Sequence, residues 1–257
     1  QPAEEGLGGA LAMVADGVLE NPRPDRSLSI HLWNDKPYGW IGVTAGPAMA
    51  ASDRFTVTIK GRGGHGAAPH VGIDPVVAGA QVITALQTIV SRSVDPLEAA
   101  VVSVTSLDGA EAFNVIPDSV QLRGTIRTFK PEVRKTVLER FETICVGVSK
   151  ALGCQAEVEL KSITPAVSND AELAQRVYKV AGEIYPQAEI STVERTMGSE
   201  DMAYMMEDIP GCYFFIGSAD HDRGLDAGHH HPKFDFNEDA LVTGAALMAS
   251  VVVDLMN

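Results

Sequence analysis

The sequence is poor in positive charge and in cysteine. Of its 257 residues, 20 are Lys or Arg and 34 are Asp or Glu, which gives a formal net charge of −14. Because a nucleic-acid-binding surface needs clustered Lys and Arg to neutralise phosphates, we expect no nucleic-acid partner. The three cysteines, Cys145, Cys154 and Cys212, are odd in number and lack the spacing of metal ligands. We interpret them as reduced thiols of a cytoplasmic protein.

Long apolar runs are also scarce. The stretch 245–253 is about half the length that a bilayer requires, and it predicts a buried helix rather than a membrane span. We therefore expect no membrane association. The chain begins with Gln rather than Met, inside a pattern typical of a strand end. We expect that an N-terminal portion of the protein precedes it.

The patterns that are present predict an α/β protein in two domains. Residues 1–50 and 165–257 form the first, a partial catalytic α/β domain, and residues 51–164 form the second. In the second, alternating strand patterns and two helical patterns follow the order β-α-β-β-α-β. This order is typical of a ferredoxin-like fold inserted into a larger domain. Pro131 opens the second of its helices, which we expect to end near Ala151.

Several local signals position elements of the first domain. A 4-3-4 apolar spacing predicts a helix over about 6–15, and alternation predicts a strand over 27–33 that is followed by a turn at 34–37. Asn169 with Glu172 has the pattern of a capping box, and Asn237 the pattern of a helix cap. Glu200 and Asp201 could face the cleft, but we favour their interpretation as acids at the start of a short helix.

Adjacent acids and scattered histidines are the candidates for chemistry. Glu4 and Glu5 could divide metal binding and proton transfer between them, or they could be acids stabilised by the first turn of a helix. His31 could be a metal ligand or a structural histidine. The run His229–His231 could bind metal or simply lie at the surface. From spacing alone these alternatives stay open.

Seven segments together resemble a known family. The sequence is similar to the metal-dependent amidohydrolases of the aminoacylase and carboxypeptidase-type metallopeptidase family, in the branch of hippurate hydrolases, N-acyl-amino-acid amidohydrolases and auxin-conjugate hydrolases. The resemblance covers all 257 residues. The segments, in chain order, are QPAEEG at 1–6, HLW at 31–33, GRGGHGAAPH at 61–70, NVIPD at 114–118, RGTIRT at 123–128, MGSED at 197–201 and HHPKFDF at 230–236.

The resemblance implies a metallopeptidase-type catalytic domain with an inserted lid or dimerisation domain. It implies roles for seven residues. Glu4 matches the general base. The implied metal ligands are Glu5, His31 and, in preference to His231, His230. In the inserted domain, His65 matches a histidine that reaches a partner subunit's site and stabilises the developing oxyanion. Asn114 and Arg127 match residues that bind the substrate. Asn114 could instead shape the turn before Pro117, and Arg127 could be an exposed strand residue.

The resemblance also implies two divalent metal ions in the complete protein, which could be Zn, Mn, Co or Ni. Family ligands that precede the QPAEEG motif, in a Cys-Gly-His stretch and at a bridging acid, have no counterpart in this sequence. We therefore expect this segment alone to hold one metal or none and to have little or no activity. A preceding segment would complete the site.

The expected reaction is hydrolysis of the amide bond of N-acyl amino acids, with release of a carboxylic acid and an amino acid. The expected partners are the small-molecule substrate and a second copy that docks through the inserted domain. One alternative is a dipeptidase or carboxypeptidase on the same scaffold. Another is a non-catalytic module that binds metal and dimerises.

Overall fold

The computed structural model describes residues 3–5, 8–109 and 112–257. The chain divides into two compact units, one made of Gln1–Met49 with Ala166–Asn257 and the other of Ala50–Pro165. Each boundary lies one residue from the boundary expected from the sequence. The predicted mixed α/β class is confirmed.

Helices and strands occupy most of both units. In chain order the elements are α1 (Gly9–Ala15), β1 (Ser27–Pro37), β2 (Trp40–Gly42), β3 (Gly46–Met49), β4 (Ala51–Lys60), β5 (Gly64–His65), a 3-10 turn (Pro69–Val71), α2 (Pro75–Thr88), a π turn (Ile89–Ser93), β6 (Ala100–Asp108), β7 (Val115–Ile116), β8 (Ser119–Thr128), α3 (Pro131–Ala151), β9 (Gln155–Thr164), β10 (Val167–Asn169), α4 (Ala171–Ile184), β11 (Glu189–Ser191), α5 (Ala203–Met206), β12 (Gly211–Ala219) and α6 (Asp239–Met256).

The first unit is built on a mixed sheet of four strands in the order β1-β12-β2-β11. β1 runs parallel to β12, and every residue of β12 is buried. This burial on both faces explains why the strand has a continuous apolar sequence rather than an alternating one. Helices α4 and α6 pack on the apolar side through Val177, Leu247 and Val251.

The predicted turn after the first strand is wrong. β1 continues through 34–37, with an irregular register between Trp33 and Pro37, and Pro37 pairs with Ala219 of β12. The Asn-Asp-Lys-Pro composition that suggested a turn instead fits a bulged strand, where proline is tolerated. Helix α1 begins at Gly9; residues 6 and 7 of the predicted helix lie outside the described part of the chain.

Asn169 is not a helix cap. Asp170 caps α4, since its carboxylate accepts a hydrogen bond from the Leu173 amide at 2.9 Å. The buried Asn169 amide group instead donates to the carbonyls of Thr44 and Tyr213, both at 2.8 Å, and accepts from the Tyr213 amide at 2.7 Å. It therefore joins the end of β10 to β12 across 44 residues of sequence.

The last helix is longer than the apolar stretch suggested. α6 has 18 residues, a mean hydropathy of 1.7 and only 28% of its residues buried, so by length and composition alone it could cross a membrane. The apolar stretch predicted to form a buried helix does lie in this helix, and Leu247 and Val251 are buried in the core; a core helix passes the same test of length and composition. Asn237 does cap the helix start, accepting from the Asp239 amide at 3.0 Å.

The second unit has an antiparallel sheet in the order β6-β8-β4-β9, with α2 and α3 on its apolar side. This is the strand order of a ferredoxin-like fold. α3 spans the predicted Pro131–Ala151. α2 passes directly into the π turn at Ile89, so the helical segment continues to Ser93.

Candidate active site

The chain's beginning, β1 and the loop before α6 meet in the first unit. They form a cleft of about 540 Å³. Because β1 and β12 are parallel neighbours, the loop that follows β12 returns beside β1. The residues that line the cleft are Glu5, Ile30, His31, Leu32, His229, His230, His231 and Phe234.

Glu5 and His230 face each other in this cleft. The distance from His230 Nδ1 to Glu5 Oε1 is 3.9 Å, and both side chains are exposed. His230 has a φ of 63°, a left-handed conformation that non-glycine residues adopt at a cost of about 1–3 kcal/mol. Such strain is found where a side chain must point in a required direction, and here it turns the imidazole toward Glu5.

The three consecutive histidines have three different environments. His229 packs inward: its Nε2 accepts from the Asn34 amide at 3.2 Å, and its ring lies 5.0 Å from that of Phe234. Burial, and then the charge of His31, lower the pKa of His229. His231 turns outward, where its Nδ1 accepts from the Lys233 amide at 3.1 Å. Among the described residues, His230 is the one of the three with a carboxylate oxygen within 4.0 Å, whereas the rings of His229 and His231 accept backbone hydrogen bonds.

His31 lies on β1 with its ring beside those of His229 and Tyr213, at centroid distances of 5.1 and 6.4 Å. Its Nδ1 is 2.5 Å from the Leu32 carbonyl oxygen. A carbonyl only accepts, so Nδ1 carries a proton and donates. Nε2 is then the nitrogen with a free lone pair. A backbone carbonyl that orients the ring in this way is typical of metal-ligating histidines.

Glu4 lies with two acids that the sequence did not assign to the site. One carboxylate oxygen each of Glu4, Glu200 and Asp201 fall within 4.8 Å of one another. Glu200 and Asp201 are buried. Tyr213 donates its hydroxyl hydrogen to Glu200 Oε2 at 2.8 Å, and the Ala10 amide donates to Asp201 Oδ2 at 2.9 Å.

The interpretation of Glu200 and Asp201 as helix-start acids is incomplete. Glu200 does precede the short α5, where its Oε1 accepts from the Met202 amide at 3.4 Å, but both residues also bring a carboxylate oxygen close to Glu4. The neighbouring acids affect the pKa of Glu4. Burial, then the charges of Glu200, Asp201 and Glu5, raise the pKa of Glu4 to about 7, while His230 acts in the opposite direction.

The donor set fits a divalent metal. Imidazole nitrogen and carboxylate oxygen are common ligands of zinc and its neighbours. Glu5, His31 and His230 offer two imidazoles and one carboxylate in an open cleft. The nearby acidic groups would favour any cation there, because desolvated carboxylates repel one another unless a proton or a cation lies between them.

The other three predicted site residues lie in the second unit. His65 is exposed on β5, and Asn114 precedes β7, which pairs with β5. The Gly66 amide donates to the Asn114 carbonyl at 2.8 Å. The structure thus brings His65 and Asn114 to one short antiparallel pair of strands, β5 and β7.

Arg127 lies on β8, in a different sheet from the β5–β7 pair. Its Nε donates to Thr125 Oγ1 at 3.0 Å. Burial lowers the pKa of Arg127, and the nearby Asp53 opposes that effect. The buried Asp53 is itself held by Arg134, whose Nε donates to Asp53 Oδ2 at 2.8 Å. A half-buried guanidinium of this kind is suited to a carboxylate, and its role in substrate binding stays a prediction.

Comparison with known proteins places these residues in a wider context. A family profile described as "Peptidase family M20/M25/M40" matches residues 1–254. The N-acetyl-L-cysteine deacetylase of Bacillus subtilis (strain 168) is 41% identical over 243 residues, which cover 94% of this chain and 56% of the deacetylase. The IAA-amino acid hydrolase ILR1-like 4 of Arabidopsis thaliana is 38% identical over 255 residues, with 98% and 58% covered.

Among solved structures, the Bacillus subtilis YXEP protein is described as a dinuclear metal binding peptidase from the M20 family. It superposes with a TM-score of 0.81 at 32% identity and covers 99% of this chain and 63% of its own. The chain thus spans less than two thirds of the length of these relatives.

Proposed function

We propose, on the premise that this chain belongs to peptidase family M20/M25/M40, that the complete protein is a metal-dependent hydrolase of N-acyl amino acids. Hippurate-like and N-acetyl-amino-acid compounds are the proposed substrates, and a carboxylic acid and a free amino acid are the products. The observation that carries the proposal is the convergence of Glu4, Glu5, His31 and His230 from three distant segments. The names of the deacetylase and the IAA-amino acid hydrolase point to the same class of bond.

Glu5, His31 and His230 would hold divalent metal, and the complete protein would hold two ions, as the YXEP protein's description suggests for that relative. Bound metal ions would lower the pKa of water and polarise the substrate carbonyl. Zn, Mn, Co and Ni all suit this donor set. Further ligands are expected from a segment that precedes Gln1, so this segment alone would bind one ion or none.

Glu4 is the proposed general base. Its carboxylate takes a proton from water and delivers that proton to the nitrogen of the leaving amine. A group does both tasks well when its pKa lies near the working pH, and the pKa of about 7 meets this condition. Glu200 and Asp201 keep the surroundings of Glu4 acidic and desolvated, while Tyr213 and the Ala10 amide hold those two carboxylates in place.

The second unit supplies the remaining groups. His65 of one copy steadies the developing oxyanion in the site of another copy, and Asn114 and Arg127 bind the substrate carbonyl or carboxylate. A homodimer that docks through this unit, in the cytoplasm, is therefore part of the proposal. Sedimentation of the full-length protein tests it: a strict monomer, with an unchanged rate after His65→Ala, contradicts the dimeric site.

A matched pair of variants tests the metal site. His230→Ala removes the imidazole that faces Glu5, whereas His231→Ala removes only the neighbour that accepts from Lys233. In the full-length protein we expect His230→Ala to weaken metal binding by at least tenfold in calorimetric titration, and His231→Ala to leave it within about twofold. Equal effects of the two substitutions contradict the assignment of His230.

A substrate panel tests the reaction. Purified full-length protein, loaded with each candidate metal, is assayed against hippurate, N-acetyl amino acids and dipeptides. Faster cleavage of the N-acyl amino acids supports the proposal, and preference for dipeptides identifies a peptidase on the same scaffold. Metal binding without turnover identifies a non-catalytic module. Glu4→Gln is expected to retain metal and to lose turnover by a factor of about 100 or more.

A further inference from the structure

The strand pair β5–β7, which carries His65, is held by close contacts between the two backbones. A Cβ atom at Gly63 would lie 2.6 Å from the Ile116 carbonyl oxygen, and one at Gly66 would lie 3.1 Å from that of Asn114. A Cβ at Gly63 would overlap the facing oxygen, and one at Gly66 would make a tight contact, so these two glycines favour the close approach of the backbones on either side of β5. The orientation of His65 therefore depends on the glycines of this loop.

Asp118 ties the other end of the loop to the strand that follows. Its side-chain Oδ1 accepts from the Gly63 amide at 2.9 Å, and its backbone carbonyl accepts from the Gly61 amide at 2.8 Å. The chain is thus held at two points just before Gly64. His65 follows directly, so these bonds limit how far its backbone can move.

A tight turn follows His65 and uses its ring. The Ala68 amide donates to the His65 carbonyl at 2.8 Å, which closes a turn of four residues. Within this turn, the Ala67 amide donates to His65 Nδ1 at 3.0 Å. A ring nitrogen that accepts a hydrogen bond carries no proton. In the neutral ring the proton is then on Nε2.

We infer that the turn at 65–68 fixes His65 as the Nε2–H tautomer, so that the ring meets substrate as a hydrogen-bond donor through Nε2 alone. This inference rests on the proposed function, in which His65 steadies an oxyanion. Ala67 is a positioning residue that acts through its backbone amide. The ring of His65 needs no side-chain partner, because a backbone amide of the loop determines its tautomer. The glycines and Asp118 in turn hold the loop in place.

Nitrogen-15 spectroscopy of the full-length protein, labelled at histidine, tests the tautomer without any activity measurement. The His65 signals are assigned by their loss in His65→Gln. We expect an unprotonated Nδ1 and a protonated Nε2 at the assay pH. His70, which is exposed on the same loop and makes no ring hydrogen bond among the described residues, is the internal control and is expected to show exchanging tautomers. A protonated Nδ1 in His65, or a mixture like that of His70, overturns the inference.

Two substitutions separate the roles of the two ring nitrogens. In His65→Asn the side-chain oxygen can still accept from Ala67, but no donor reaches the Nε2 position. In His65→Gln a donor does reach that position. We expect kcat to fall by about 100-fold or more in His65→Asn with KM nearly unchanged, and His65→Gln to retain at least about tenfold more activity.

The result that overturns the inference is a His65→Asn variant at least as active as His65→Gln. Retained folding is checked by circular dichroism of both variants. If the wild-type protein cleaves no N-acyl amino acid, the proposed function fails, whereas the spectroscopic test of the tautomer still stands. The two failures are therefore distinguishable.

Discussion

Replacing Tyr213 by Phe tests whether the buried acids beside Glu4 are held as the structure shows. Tyr213 is 1% exposed, and its hydroxyl donates to Glu200 Oε2 at 2.8 Å; Glu200 is 8% exposed. The substitution keeps the ring and removes one hydrogen bond to a buried carboxylate. Such a bond contributes about 1.5–3 kcal/mol to the free energy of unfolding, because its loss leaves an unsatisfied acceptor in a desolvated place.

The sequence provides a reporter for the unit concerned. Both tryptophans of the chain, Trp33 and Trp40, lie in the first unit, so Trp fluorescence follows the unfolding of that unit. With a urea m-value of about 2 kcal/mol/M, a loss of about 2 kcal/mol lowers the urea midpoint by about 1 M. The fluorescence transition should shift by this amount in Tyr213→Phe.

Tyr178→Phe is the matched control. Tyr178 is on α4 in the same unit and is 47% exposed, so we expect its substitution to change the free energy of unfolding by less than about 0.5 kcal/mol. A Tyr213→Phe midpoint equal to that of Tyr178→Phe would refute the reasoning. It would mean that Glu200 finds another donor or is not held in the buried position.

Three further predictions concern other parts of the chain. Arg134→Met removes the guanidinium that holds the buried Asp53, so the free energy of unfolding of the second unit should fall by about 3–5 kcal/mol. Urea unfolding followed by far-ultraviolet circular dichroism measures this loss. As a control, Arg92→Met at an exposed position should lower the free energy of unfolding by less than about 0.5 kcal/mol. Burial raises the pKa values of Cys145 and Cys212 to about 12, so both thiols stay protonated at pH 8. They should therefore not react with Ellman's reagent until urea unfolds the chain. Rapid reaction of these thiols in the native state would contradict this prediction. Gly61→Ala would place a Cβ 2.2 Å from the Ile73 carbonyl oxygen and should destabilise the second unit by more than about 1 kcal/mol. Gly147 lies in α3 with open space around its Cβ position, so Gly147→Ala should stabilise the same unit by about 0.5–1 kcal/mol.

Local sequence patterns were sufficient to predict those helices and strands whose structure depends mainly on their own residues. The period of apolar residues and the proline at the first position predicted α3 with its ends, and alternation predicted the strands of the second unit. The family resemblance is confirmed by the match over residues 1–254. The helix and strand signals lie within a few residues of each other, whereas the resemblance rests on seven motifs spread from residue 1 to residue 236.

Long-range contacts account for most of the errors. Asn169 has the local pattern of a cap, but its amide group matches three backbone groups that only the folded sheet brings near. Proline and aspartate at 34–37 favour a turn, yet pairing with β12 keeps the chain extended. In both cases the tertiary hydrogen bonds outweigh a local preference of about 1 kcal/mol.

Glu200 and Asp201 show most clearly what sequence spacing omits. Two acids before a short helix have an ordinary local explanation, and nothing in their spacing relates them to Glu4, which is 196 positions earlier. A signal did exist in the apolar run at 212–216, since a tyrosine buried in such a strand needs a partner for its hydroxyl. That partner is Glu200. Because an uncompensated carboxylate is costly to bury, the pair Tyr213–Glu200 is what makes an acidic environment for Glu4 stable, and the raised pKa of Glu4 follows from that packing rather than from its neighbour Glu5 alone.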